Sequence, residues 1–199
     1  LPGTYSLYAK SSDEQVVTDI LTNPSDDNFP DLLVVIIDAS NIKRNLLLLT
    51  QCIELGIPTV LGLNMVDLAE RMGKGIDLNK LEQALEIPVI TINARKGEGV
   101  SDLKKVFTTN VVVRMRPFLD VHELVGPEMS KLINNGKGTS YMRLHQILGL
   151  GEVDEKKAEI IQTKDTTLRY GKINNLIKIA NLPFVQKGQK IYYNTSHNS

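Results

Sequence analysis

The chain has 199 residues and one cysteine, Cys52. A lone thiol closes no internal disulfide, which excludes a disulfide scaffold and suits a reducing compartment. Excess charge of either sign is also missing, since 23 Lys/Arg balance 23 Asp/Glu. That balance argues against a general nucleic-acid binder, which is usually basic. No apolar run reaches the roughly 18 residues that a membrane helix needs. Leu1 opens a loop-like stretch with no basic or apolar leader segment, so no signal peptide is expected.

What is present is the balance of a folded protein, 42% hydrophobic and 23% charged. The neutrality averages two unlike halves. Residues 1–110 carry 10 basic and 15 acidic side chains, net −5, and residues 111–199 carry 13 and 8, net +5. A change of sign at a composition break hints at two modules, and a basic second half would suit an anionic membrane face. Scattered surface charge would give the same numbers.

The first half alternates helix and strand signals. Ser12 with Gln15 has capping-box spacing, and Val16, Val17, Ile20 and Leu21 follow at helical intervals. Asn23-Pro24 should stop that helix, because a residue before proline avoids helical angles. Leu32–Ile37 is a short, β-branched apolar run, expected as a strand buried on both faces of a parallel sheet. A helix over 45–55 should end at Gly56 and Pro58. Cys52 in that helix reads as a small core residue, with no basic neighbour to make it reactive.

Thr59–Leu63 and Val89–Ile92 are the next strands, separated by an amphipathic helix carrying Leu78, Leu81, Ala84 and Leu85. Ser101 is expected to cap a last helix. Strands joined by helices predict parallel pairing and right-handed crossovers, a doubly wound α/β sheet. Ligands of such sheets bind at the carboxyl ends of the strands.

The second half reads as short helices. Pro127 suits the first turn of a helix through Ile133. Tyr141–Leu148 closes at Gly149, Asp154 can cap a helix through Ile161, and Thr166–Ala180 is a further helix. The expected face of that last helix is Leu168, Ile173, Leu176, Ile177 and Ala180. His145 is expected to be half-buried, and Arg114-x-Arg116 to be a solvated patch. His122, His145 and His197 share no ligand spacing, so no metal site is expected. The tail after Pro183 shows no period.

Asn64-Met65-Val66-Asp67 directly follows an apolar strand. A carboxylate accepts two hydrogen bonds from guanine, from its ring N–H and its exocyclic amine. Adenine offers no such pair, and a site built on these bonds rejects the wrong base by ~10⁴-fold. The Asn64 amide can tie the base loop to its neighbours. Asn93-Ala94-Arg95 ends the next strand, so the two loops share a crevice. The Ala94 N–H can meet the base carbonyl. Gly3, in Leu1-Pro2-Gly3-Thr4, can bring its backbone N–H close to a phosphate. Ordinary turns use the same residue types, and both readings stand at this point.

Leu1–Leu7, Asp38-Ala39-Ser40-Asn41, Asn64–Asp67 and Ala94–Gly99 together resemble the cytoplasmic G domain of the bacterial ferrous-iron transporter B family. Met65 fits that family, where most Ras-like GTPases carry lysine. The likeness runs over residues 1–107, and Leu168–Ile173 is similar to a segment of the family's helical domain, a built-in regulator of GDP release. The resemblance implies a Ras-like GTPase sheet over 1–110, a helical regulatory domain over 111–182 and a tail over 183–199. It implies GTP or GDP with Mg²⁺, and regulation of iron(II) uptake through a membrane-embedded part at the cytoplasmic face of the bacterial inner membrane. Self-association is left open, and no nucleic-acid partner is expected. Asn64 and Asp67 would read guanine with Met65 between them. Asn93, Ala94 and Arg95 would line the base, and Gly3 would meet the γ-phosphate. Leu1, Pro2, Gly3 and Thr4 would form the second switch. Thr4 stands where many relatives have a water-orienting glutamine, so the hydrolytic residue is unassigned and turnover should be slow.

The family pattern also has an upstream aspartate, a first strand and a glycine-rich phosphate loop. No G-x-x-x-x-G-K-[ST] occurs in this sequence. The expectation is therefore a truncated part of a longer GTPase, inactive by itself. The competing readings are an interaction module without nucleotide activity and an RNA-associated GTPase. Neutral charge and Met65 speak against the latter.

Overall fold

Residues 3–111, 113–114, 116–135 and 137–180 are described in the computed structural model. Leu1, Pro2 and the tail expected at 183–199 lie outside them.

Three strands form one sheet in the order β1-β2-β3: β1 Leu33–Asp38, β2 Thr59–Asn64 and β3 Val89–Ile92, all parallel. The α/β class expected from the alternation is the class the chain adopts. Helices separate the strands because punctuation residues end each apolar run. α1 spans Ser12–Thr22 and stops at Asn23, before Pro24. Its cap is Ser11, one residue earlier than expected, and the Ser11 hydroxyl accepts the Glu14 N–H. α2 runs Ile42–Glu54 and ends at Gly56, whose φ of 77° is left-handed. α3, Val66–Arg71, had no separate signal in the sequence. α4 is Leu78–Leu85 and α5 Val100–Val106. α5 is preceded by Gly99, not capped by Ser101. A Cβ at Gly99 would lie 2.0 Å from the Thr91 carbonyl oxygen, so no other residue fits that close approach.

β1 differs from the expectation of burial on both faces. Val35 and Ile37 point into the core with Leu61 and Leu63, their neighbours in register. Ile36 faces the other way and is 50% exposed. Beside it Gly62 has no side chain, and a Cβ there would meet Ile36 Cδ1 at 2.4 Å. Ile36 therefore lies over the neighbouring strand.

In the second half, α6 is Pro127–Asn134 with Pro127 at its first turn, and α7 is Ser140–Gly149. The two helices expected around 154–180 are one helix, α8, Glu155–Ala180, about 39 Å long at 1.5 Å per residue. Asp154 caps it by accepting the Lys156 and Lys157 N–H groups. α8 packs against α2 and α4, and α7 against α1. One core therefore joins Leu21, Leu49, Leu63 and Leu85 to Leu119, Ile133, Leu144 and Ile173. Ile173, Leu176 and Ala180 face it as expected, whereas Leu168 is at the surface. Arg114 is no solvated patch. Its guanidinium donates to the Leu85 carbonyl (3.2 Å) at the end of α4, where a cation satisfies free carbonyls.

Inside this core lies a charged cluster. Asp165 and Arg169, one turn apart on α8, are fully buried. Arg169 donates to Asp165 (2.8 Å), to Glu54 (2.7 Å) and to the Thr50 carbonyl (3.1 Å). The other oxygen of Asp165 accepts from the Tyr8 and Tyr141 hydroxyls, each at 3.0 Å. Glu54 also accepts the Leu119 N–H. Burial pushes the Glu54 carboxyl up, and Arg169 opposes it. Burial disfavours the Arg169 charge, but Tyr141, Asp165 and Glu54 outweigh it and hold the proton more firmly than usual. His145 is buried, not half-buried, stacked on Tyr8 (4.9 Å) and edge-on to Tyr141 (4.8 Å). Burial pushes its pKa down to about 4, with Asp165 pulling the other way. Cys52 is buried, and burial pushes its thiol up to about 12, in keeping with an inert core residue.

Arg169→Ala should cost about 3–5 kcal/mol, because two acidic groups would stay buried without their cation. Urea unfolding measures it. His145 is neutral in the fold and takes a proton near pH 6.5 when unfolded, so the unfolded state binds more protons between about pH 6.5 and 4. Its contribution is full above that window and falls with pH by about 1.4 kcal/mol per unit. Between pH 7 and 5 the parent should lose about 2 kcal/mol relative to His145→Phe, read by urea unfolding at each pH.

Candidate functional site at the carboxyl ends of the strands

Parallel register sets Asp38, Asn64 and Ile92 side by side at the ends of β1, β2 and β3. Three loops therefore leave the sheet along one edge. This is the place where a doubly wound sheet forms a crevice.

The loop after β2 turns at once. Met65 has φ 61° and ψ 29°, a left-handed conformation that a methionine adopts at a cost of about 1 kcal/mol or more. The strain is held by Asn64, whose Oδ1 accepts the Met65 N–H (2.9 Å) and the Ala94 N–H (3.4 Å). One side-chain oxygen thus links the loop after β2 to the loop after β3, as the sequence led us to expect of Asn64. The Ala94 N–H, expected to face a base carbonyl, points at this oxygen over a long contact. The turn places Asp67 in the first turn of α3, with its carboxylate more than half exposed.

The loop after β3 closes on itself. Asn93 receives the Glu98 carbonyl as acceptor for its N–H (2.9 Å), and its own carbonyl accepts the Gly97 N–H (2.8 Å). Gly97 takes φ 74°. Ala94 and Arg95 are carried at the exposed rim of this turn. The loop after β1 is held by Asp38, which accepts from the Ser40 N–H (2.8 Å) and hydroxyl (2.7 Å). Lys74, beyond α3, donates to the Ser40 carbonyl (2.7 Å) and ties the segment after α3 to the loop after β1.

Asn64, Met65, Asp67, Asn93, Ala94 and Arg95 are thus gathered on two adjacent loops. Gly3 and Thr4 sit apart, on a segment fixed from α1 and α2. The Thr4 hydroxyl donates to the Ser6 carbonyl (2.8 Å), and the Leu7 N–H and Ser6 hydroxyl donate to buried Gln51. No hydrogen bond joins the Gly3–Thr4 segment to the base loops among the described residues. Among those residues, too, no three His, Cys, Asp or Glu side chains stand close enough to hold a metal ion.

Sequence reasoning missed two residues of this edge. Arg71 donates from Nη2 to Asp67 Oδ2 and from Nε to the Asp67 carbonyl, both at 3.2 Å. The i,i+4 spacing was a readable signal. Lys74 had none, because its partner is 34 residues away.

The family model for ferrous iron transport protein B matches residues 1–107. The Fe(2+) transporter FeoB of Staphylococcus aureus (strain MSSA476) is 46% identical over 103 residues, 52% of this chain and 15% of that protein. The Fe(2+) transporter FeoB of Salmonella typhimurium (strain LT2) is 42% identical over 108 residues, 52% of this chain and 14% of that protein. The matched part is thus a small share of these relatives. Among solved structures, the cytosolic domain of L. pneumophila FeoB aligns over 92% of this chain and 78% of its own, with TM-score 0.69 and 27% identity. The mGMPPNP-bound NFeoB from S. thermophilus aligns over 94% and 80%, with TM-score 0.66 and 26% identity. The GMPPNP form of the T. maritima FeoB cytosolic domain, at 23% identity and TM-score 0.73 over 92% and 78%, shows likeness of fold.

Met65→Asn should stabilise the chain by about 1 kcal/mol, since asparagine tolerates the left-handed conformation. Urea unfolding of the two proteins side by side checks it, and a destabilised variant would mean that the Met65 side chain outweighs the backbone strain.

Proposed function

The chain belongs to the ferrous iron transport protein B family, and on that premise we propose that it is the guanine-reading part of a GTP-binding, GTP-hydrolysing domain. In this reading the domain regulates iron(II) uptake through the membrane-embedded part of the same transporter, at the cytoplasmic face of the bacterial inner membrane. Residues 1–110 are its GTPase part and 111–182 a helical regulator.

The observation that carries the reading is the bridge from Asn64 Oδ1 to the Met65 and Ala94 amides beside the exposed Asp67 carboxylate. Asp67 accepts from the ring N–H and exocyclic amine of guanine. Asn64 holds the two loops at a fixed spacing. The Ala94 N–H, bound to Asn64 only at 3.4 Å, is available to the base carbonyl. Arg95 lies beside Ala94 on the same rim. Gly3 supplies a backbone N–H toward the γ-phosphate, and Leu1–Thr4 act as the second switch. The Thr4 hydroxyl is already committed to the Ser6 carbonyl, so the hydrolytic residue is unassigned.

The similar NFeoB of S. thermophilus has been solved in an mGMPPNP-bound form and, as a mutant, in a GDP-bound form. Mg²⁺ accompanies such nucleotides, and among the described residues no three His, Cys, Asp or Glu side chains gather to hold it. The competing reading is an interaction module without nucleotide activity. Base discrimination separates the two, because it does not need the phosphate loop.

GDP should perturb the amide resonances of Asn64, Asp67 and Ala94, and ADP should not compete. Asp67→Asn should move the preference to XDP, with guanine preference falling by at least ~10-fold. Equal competition by ADP would overturn the base reading, and no perturbation by either nucleotide would favour the interaction module.

A further inference from the structure

We propose that Arg71 is a positioning residue for base selection, holding the Asp67 carboxylate in the orientation that reads guanine; this rests on the reading of the strand-end loops as a guanine site. The grip has two points. Nη2 donates to Asp67 Oδ2 and Nε donates to the Asp67 carbonyl, each at 3.2 Å. A guanidinium is a rigid, planar fork. Bound at once to the backbone and the side chain of one residue, it restricts rotation of that side chain about its own backbone.

The grip leaves the carboxylate able to act. Oδ1 of Asp67 has no hydrogen-bond partner among the described residues. Oδ2 keeps a second lone-pair direction, since a carboxylate offers about four acceptor sites. Guanine needs two acceptors a fixed distance apart, so its recognition depends on the orientation of the whole carboxylate. The other bonds along this edge do not reach the Asp67 side chain: Asn64 holds the Met65 and Ala94 amides, and Lys74 holds the Ser40 carbonyl. Arg71 is the residue that acts on the Asp67 side chain. Its consequence is therefore selectivity and not overall stability.

The size of the effect follows from exposure. The Arg71 and Asp67 side chains are 71% and 57% exposed. An exposed i,i+4 pair of this kind changes an equilibrium by about twofold, and salt screens it.

The test uses guanosine and inosine, which differ by the 2-amino group and need no phosphate loop. Each is titrated into the whole chain and into Arg71→Ala, Arg71→Gln and Arg71→Lys, with chemical shifts of Asn64, Asp67 and Ala94 as the readout. Arg71→Ala and Arg71→Gln should lower the guanosine-to-inosine affinity ratio about twofold, and Arg71→Lys should retain part of it. High salt should lower the ratio in the parent and leave it unchanged in Arg71→Ala. Three-bond couplings should show one dominant χ1 rotamer of Asp67 in the parent and averaging in Arg71→Ala. An unchanged ratio, or tighter guanosine binding on removing Arg71, overturns the positioning role while the guanine site stands. Binding of neither nucleoside by the parent overturns the guanine site, and the role of Arg71 falls with it.

Discussion

The contact between Arg169 and Asp165 is what the rest of the structure is arranged around. Placing a guanidinium and a carboxylate in a core is costly unless every lone pair and proton finds a partner. Here almost all do. Glu54 and the Thr50 carbonyl also accept from Arg169, whose Nε is left without a partner, and Tyr8, Tyr141 and Gln51 donate to Asp165. Those partners come from the amino-terminal segment, α2, α7 and α8, and through Glu54 the Leu119 backbone joins them. The cluster thereby sets how helices from both halves of the chain meet, with a directionality that apolar packing alone lacks.

That arrangement reaches the strand-end edge through α2 and α8. α2 carries Thr50, Gln51 and Glu54 on its buried side and packs on β1. Gln51 fixes the Ser6–Leu7 backbone, which places Gly3 and Thr4. α8 ends at Ala180, whose carbonyl accepts the Asp77 N–H (2.7 Å) at the start of α4. Polar groups at the edge itself are weakly buried, so the loops keep their shape by bonds within and between them: Asp38 to Ser40, Arg71 to Asp67, and Asn64 across to Ala94. A strained Met65 sits among them, as residues in sparsely populated conformations do where a loop must present neighbouring groups.

Much of the candidate site was legible because its signals are local. An apolar strand followed by Asn64-x-x-Asp67, and the next strand followed by Asn93-Ala94-Arg95, needed only the rule that parallel strands end at one edge. The tie from Asn64 to the neighbouring loop was expected from its amide, and it is present. The Arg71–Asp67 pair was readable from its i,i+4 spacing. Lys74 and Gln51 were not readable, since each bonds a backbone group 34 or more residues away.

By itself the sequence determined where the three strands lie and where α1 and α2 stop. Prolines, glycines and short β-branched runs act within a few residues, so α1 stops at Asn23, α2 stops before Gly56, and the strands fall at 33–38, 59–64 and 89–92. Tertiary structure decided what each element faces. It left Ile36 exposed beside a side-chain-free Gly62, turned Arg114 onto the end of α4, buried His145 between two tyrosines and ran two expected helices into one. The physical reason is distance along the chain. Burial and ion pairing belong to partners separated by up to 157 residues, and no local periodicity records which of them will meet.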